Sequence, residues 1–199
     1  MTRSLLKKCL FTAAVTVIAA AVNPGMVFAQ TSGVGSDGYT RILWRGTDGE
    51  ISLWKLDGNL NYVGSHAYGP YDGWIPIAIT VGQDNYTRVL WKNTQGAISL
   101  WNVDPNLNLA YSRVYGPYYG WIPESISIDD NNNSRVSWRE TRGYVSVWYV
   151  DSALNYLFSR VYGPYFGWDP GAAAAKKHAP APNDTPAEMS RPKDKPAPE

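Results

Sequence analysis

From about residue 37 to 170 the chain is built of short apolar–polar alternations separated by turn residues. Residues 41–44 (Arg-Ile-Leu-Trp) are rich in strand formers, and Thr47-Asp48-Gly49 has turn chemistry. Residues 51–54 (Ile-Ser-Leu-Trp) read as the returning arm of a hairpin. Asp57-Gly58-Asn59 turns the chain into a third run, 60–68, which Gly69-Pro70 and Gly73 end. In 77–81, Ile79 and Val81 alternate with Thr80, as in a half-buried fourth strand. After residue 29, no stretch repeats apolar residues at helical spacing over three turns. The predicted class is all-β.

The pattern then recurs. Trp44, Trp91 and Trp138 lie 47 residues apart, as do Trp54, Trp101 and Trp148, and Trp74, Trp121 and Trp168. Three four-stranded repeats follow, over 37–83, 84–130 and 131–170. Each carries Arg-x-x-Trp, Ser-x-Trp, Asp-x-x-Leu-Asn and Tyr-Gly-Pro-Tyr-x-Gly-Trp-x-Pro. The third stops short of its fourth strand. Residues 30–36 lead into Asp37 as 77–83 lead into Asp84, with Val34 and Gly35 matching Val81 and Gly82. This predicts that 30–36 completes the last repeat, closing a pseudo-threefold ring and hiding two sheet edges. The threefold count fits a β-trefoil-like ring. The Trp-ended hairpins with Asp-Gly turns fit a small β-propeller-like ring, whose repeats run about 40–45 residues and whose single-chain forms normally need at least four blades. Three blades would close unusually or by oligomerising.

The ends read differently. Residues 1–29 have the form of a signal peptide: Arg3, Lys7 and Lys8, then an apolar stretch over 10–22, then Val27-Phe28-Ala29 before a predicted cleavage at Gln30. The apolar stretch falls short of the roughly 20 residues of a membrane span. Cys9, the only cysteine, precedes it, so a lipid anchor is not expected and the secreted chain has no thiol. Residues 171–199 hold no Trp, Tyr, Phe, Ile, Leu or Val and read as a disordered Ala/Pro-rich tail. The expected location is extracellular or periplasmic, with no membrane insertion after cleavage.

Composition narrows the chemistry. Lys and Arg number 18 against 17 Asp and Glu, and three of the basic residues sit in the leader, so no nucleic-acid face is expected. With two histidines, one of them (His66) standing where the other units have Arg113 and Arg160, no catalytic or His/Cys metal site is expected, and no cofactor. Asp57, Asp104 and Asp151 recur as turn openers, and the oxygen-rich run 129–133 reads as a solvated turn. Sequons stand at Asn85, Asn132 and Asn183. Nine Trp and 14 Tyr against four Phe point instead to ring-based binding. Tyr71 with Trp74, Tyr118 with Trp121, and Tyr165 with Trp168 flank glycines that admit close approach, and three equivalent shallow sugar sites are predicted there. Asp57, Asp104 and Asp151, with Asn61 and Arg41 and their counterparts, would supply polar contacts.

These repeats resemble secreted bacterial proteins with tandem Leu-Trp…Gly…Ser-Leu-Trp…Tyr-Gly-Pro-Tyr-x-Gly-Trp units over about 37–170, and more loosely the repeat lectins of propeller and trefoil type. The resemblance implies secretion and a β-repeat fold. The Gln-x-Trp motif of ricin-type trefoil lectins is absent, so their sugar contacts do not carry over. The expectation is a non-enzymatic, lectin-like protein that binds a glycan or polysaccharide. The alternative is a structural or interaction module of the cell envelope, with an envelope protein as its partner.

Overall fold

A computed structural model describes residues 31–46 and 49–167. The expected signal peptide and tail lie outside these residues. The described chain forms three four-stranded antiparallel sheets. The first holds β1 (Ser32–Val34), β2 (Thr40–Arg45), β3 (Ile51–Leu56) and β4 (Tyr62–Tyr68). The second holds β5 (Trp74–Val81), β6 (Thr87–Asn93), β7 (Ile98–Val103) and β8 (Leu109–Tyr115). The third holds β9 (Trp121–Ile128), β10 (Ser134–Glu140), β11 (Val145–Val150) and β12 (Tyr156–Tyr162). In each, neighbours in the sheet are neighbours in sequence.

The all-β class and the threefold repetition agree with the sequence; the expected frame does not. The strand at 74–81 belongs to the second sheet, where Val81 pairs with Thr87, and not to the unit that precedes it. Likewise β9 opens the third sheet. The third sheet is therefore complete without borrowing a strand. The N-terminal segment, expected to complete the last repeat, instead pairs with β2, Val34 opposite Thr40. It is the first sheet's counterpart of β5 and β9, as the Val-Gly-x-Asp match implied, applied to the nearer partner. Strand pairing across the five-residue connection 35–39 needs far less loop closure than pairing across the whole chain.

Register explains how each sheet acquires two apolar faces. Ile42 faces Trp54 and Trp44 faces Ser52, so both tryptophans lie diagonally on one face, 5.1 Å between ring centroids. Leu43 faces Leu53 on the other. The second sheet repeats this, with Val89, Trp91, Trp101 and Val103 on one side and Leu90, Ile98 and Leu100 on the other. Two cores result. Leu43, Ile51 and Leu53 of the first sheet pack on the Trp91 side of the second. Leu90, Ile98 and Leu100 pack on Trp138, Trp148, Val136 and Val150 of the third. Burying one such ring removes roughly 150–250 Å², worth about 4–6 kcal/mol gross.

The sheets fan about a common line. β1 packs on β5 and β5 on β9, and the ends of these strands surround a cavity of about 280 Å³ lined by 34–36, 81–83 and 128–130. Among the described residues there is no comparable packing of β9 on β1, so the ring expected from the sequence is left open between the third sheet and the first. A trefoil barrel would need ladders shared between units; the three sheets are separate.

Candidate functional site

The predicted sugar-binding rings do not form free platforms. Trp74 N donates to the Tyr71 carbonyl (3.2 Å), closing a tight turn around Gly73, whose φ is +76°. The Gly69–Pro70 bond before it is cis, as in both other copies. This turn sends the Tyr71 ring across to the next sheet, edge-on to Trp91 (5.8 Å) and Trp101 (5.3 Å). Tyr118 does the same to Trp138 (5.6 Å) and Trp148 (5.0 Å). Trp74 and Trp121 are half-buried against the two cores, and neither stacks on its neighbouring tyrosine. Tyr165, whose sheet has no successor among the described residues, is exposed. Trp168 lies outside the described residues.

Asp57, Asp104 and Asp151 turn inward on their own loops. Asp104 Oδ1 accepts from the backbone N–H of Asn106 (2.9 Å) and Asn108 (2.7 Å), and Oδ2 accepts from Asn108 Nδ2 (3.0 Å). Asp57 binds Asn59 and Asn61 in the same way, and Asp151 binds Asn155. Burial works against the Asp104 charge, but these bonds outweigh it and hold the carboxyl below its usual range. At Asp57 the Asn61 amide is the leading cause of the same lowering. Each loop holds a leucine at positive φ: Leu60 (64°), Leu107 (65°) and Leu154 (63°). Leu107 and Leu154 are buried under the preceding sheet, where their carbonyls accept from Tyr68 Oη (2.5 Å) and Tyr115 Oη. Burial pushes the Tyr68 phenol well up. The repeated Asp-x-x-Leu-Asn is thus a junction element.

The sequons at Asn85 and Asn132 are also junction residues. Asn85 Oδ1 accepts from Asp37 N (2.9 Å) and Ser36 Oγ (3.0 Å), and Asn132 Oδ1 from Asp84 N (3.1 Å). Gly35 and Gly82 leave the room: a Cβ there would lie 2.8 and 2.7 Å from these amide oxygens.

A concave site does exist on the rim of the third unit. A shallow cavity of about 290 Å³ lies between the β10–β11 hairpin and the loop at 165–167, lined among others by Glu140, Arg142, Tyr144, Tyr165 and Phe166. Glu140, almost fully buried, accepts from Arg142 Nε and Arg142 N, both at 2.8 Å. The guanidinium holds the carboxyl below its usual range, and Glu140 raises Arg142 in return. Arg142 reaches over the Tyr144 ring at 5.8 Å and stays open to solvent, as does Phe166. Of these residues the sequence reading picked out Tyr165 alone. The signal for the rest was departure from the repeat: Tyr144 replaces Ala97, Arg142 replaces Gln95 and Phe166 replaces Tyr119. Among the described residues no three His, Cys, Asp or Glu gather where they would hold a metal ion.

A second open surface is the outer face of the first sheet. Trp44 and Trp54 are 49% and 36% exposed, whereas Trp91 and Trp138 are 1% and 2%. Tyr62, edge-on to Trp54 at 5.2 Å, and Leu60 extend the patch.

No protein-family model and no curated protein matches the chain. Among solved structures it is similar to a protein of unknown function from Bacteroides caccae, with TM-score 0.44 and 9% identity over 67% of this chain and 44% of that one. It is also similar to the WD40 domain of SCAP from fission yeast, with TM-score 0.35 and 12% identity over 62% of this chain and 31% of that one. The chain thus spans less than half the length of either.

Proposed function

We propose that this chain is a secreted, non-enzymatic carbohydrate-binding module of propeller-like build, with the rim cavity of the third unit as its sugar site. Secretion rests on the leader pattern over 1–29. The propeller-like reading rests on three up-and-down sheets fanned about one line by their first strands. The observation that carries the sugar site is the meeting, in one concave rim, of exposed rings and a fixed polar pair. Phe166 offers a flat face to the C–H side of a pyranose, and the adjacent Tyr165 lines the cavity wall. Arg142 offers planar N–H donors whose direction Glu140 holds, and Glu140 itself can accept from a hydroxyl. The set Glu140, Arg142 and Phe166 occurs in one repeat of the sequence, so in this reading the three equivalent sites give way to one.

The test is a glycan array followed by titration calorimetry on the full chain. Phe166→Ala and Arg142→Ala are each expected to weaken the best glycan at least tenfold with the unfolding midpoint unchanged. No glycan bound at millimolar concentration, or unaltered binding by both variants, would overturn the site. The bare Trp44–Trp54 face favours a protein-interaction role alongside it.

A further inference from the structure

We infer that the exposed Trp44–Trp54 face is covered by the third sheet of a second copy, and that two copies close head to tail into a ring of six sheets. The chain itself displays the contact twice. At both internal junctions a Trp pair and a left-handed leucine on one sheet meet two tyrosines and an aliphatic face on the sheet before it. Tyr71 and Tyr118 set their edges on the Trp pair, and Tyr68 and Tyr115 donate to the leucine carbonyl. Arg113 adds a bond to Asn155 Oδ1.

Each half of this contact lacks its partner at one end of the described residues: the first sheet's half is exposed, and Val145 and Val147 of the third are half-buried where Ile98 and Leu100 are fully buried. The first sheet presents Trp44, Trp54 and Leu60, the last 67% exposed where Leu107 and Leu154 are 4% and 0%. The third sheet presents Val145 and Val147 in place of Ile98 and Leu100, Tyr162 and Tyr165 in place of Tyr115 and Tyr118, and Arg160 in place of Arg113. By the 47-residue equivalence, the same contact would set Tyr165 on Trp44 and Trp54, the Tyr162 hydroxyl at the Leu60 carbonyl, and Arg160 at Asn61. An uncovered repeat face is ordinarily polar; the outer face of the first described sheet keeps Trp44 and Trp54.

The inner edge is adapted as well. Where Gly35 and Gly82 receive Asn85 and Asn132 from the following unit, the third unit has Asp129, and the first unit has Gly38 where those asparagines stand. The side chain has crossed to the other side of the junction. Asp129 Oδ1 accepts from Asn131 N (3.0 Å), the bond that the incoming asparagine supplies elsewhere. This junction therefore lacks the polar clamp of the other two, which suits a contact between separable copies. A head-to-tail contact makes a ring when its rotation closes; two copies give six sheets, within the usual four to eight. The rim cavity stays open, because Gln95 and Tyr119, the counterparts of Arg142 and Phe166, remain exposed beside a docked sheet.

Sedimentation or light scattering of the full chain is expected to give twice the monomer mass at tens of micromolar. Trp54→Glu on one face, and Tyr162→Ala with Arg160→Glu on the other, are each expected to give monomers with unchanged circular dichroism. Mixing the two variants is expected to restore a one-to-one pair through the single intact junction. A monomeric wild type, a ladder of higher masses, or a mixture that stays monomeric would overturn the closed pair. Phe166→Ala is expected to keep the pair, so loss of sugar binding and loss of pairing are read separately.

Discussion

A leucine in left-handed backbone costs about 1–2 kcal/mol relative to a right-handed residue. The chain accepts that cost three times, at Leu60, Leu107 and Leu154. At the last two the side chain repays it by filling the floor of a junction. Leu154→Gly removes both the cost and the filling. Losing a buried leucine costs about 2–5 kcal/mol, so the net expectation is a loss of about 2–4 kcal/mol in urea unfolding. Leu60→Gly removes the cost from an exposed side chain, partly offset by the greater freedom of glycine when unfolded, about 0.5–1 kcal/mol. Measured at dilutions where copies stand apart, it is expected to change stability by less than about 1 kcal/mol, toward stabilisation. Equal losses at the two positions would show that the loop, and not its burial, carries the effect.

Strands, turns and the 47-residue period were legible because alternation and turn chemistry are local: Thr80 between Ile79 and Val81, or Asp104 opening its loop, needs no neighbour to be read. The sheet frame was not. A period looks the same wherever it is cut, and only the pairing of Val81 with Thr87 shows that the strand after the Pro belongs to the next sheet. The aromatic loop failed for a related reason. Nothing in Tyr-x-Gly-Trp says which way the tyrosine swings, and the rings it meets, Trp91 and Trp101, lie 20 to 30 residues on. The same placement separates the copies of this tyrosine by function. Tyr71→Ala empties a wedge between two sheets and is expected to cost about 2–3 kcal/mol, below the 3–5 typical of a fully buried ring. Tyr165→Ala, with no sheet beyond it among the described residues, is expected to cost no more than about 0.5 kcal/mol in the separated copy. Denaturant titration of both variants checks this. A large loss at Tyr165 would mean that the third loop is held by something other than a following sheet.

Three sheets in a row do not share stability evenly. The second alone has both faces covered, and β6 and β7 are buried along most of their length. The first has one covered face and one bare one, and its β1 contributes only three residues. In an array where each unit touches only its neighbours, opening can start at an end and need not cross the middle. Native-state hydrogen exchange is therefore expected to be slowest in β6 and β7 and markedly faster in β2 and β3 when the chain is dilute. Raising the concentration should slow β2 and β3, which a second copy would cover, and leave β6 and β7 where they were. The outer strands β4 and β8 are exposed in every arrangement, and their amides serve as the internal reference. Uniform exchange through all three sheets would mean that the molecule opens only as a whole. The contacts between sheets, Tyr68 to Leu107 and Tyr115 to Leu154, would then bind the units as tightly as the ladders within them.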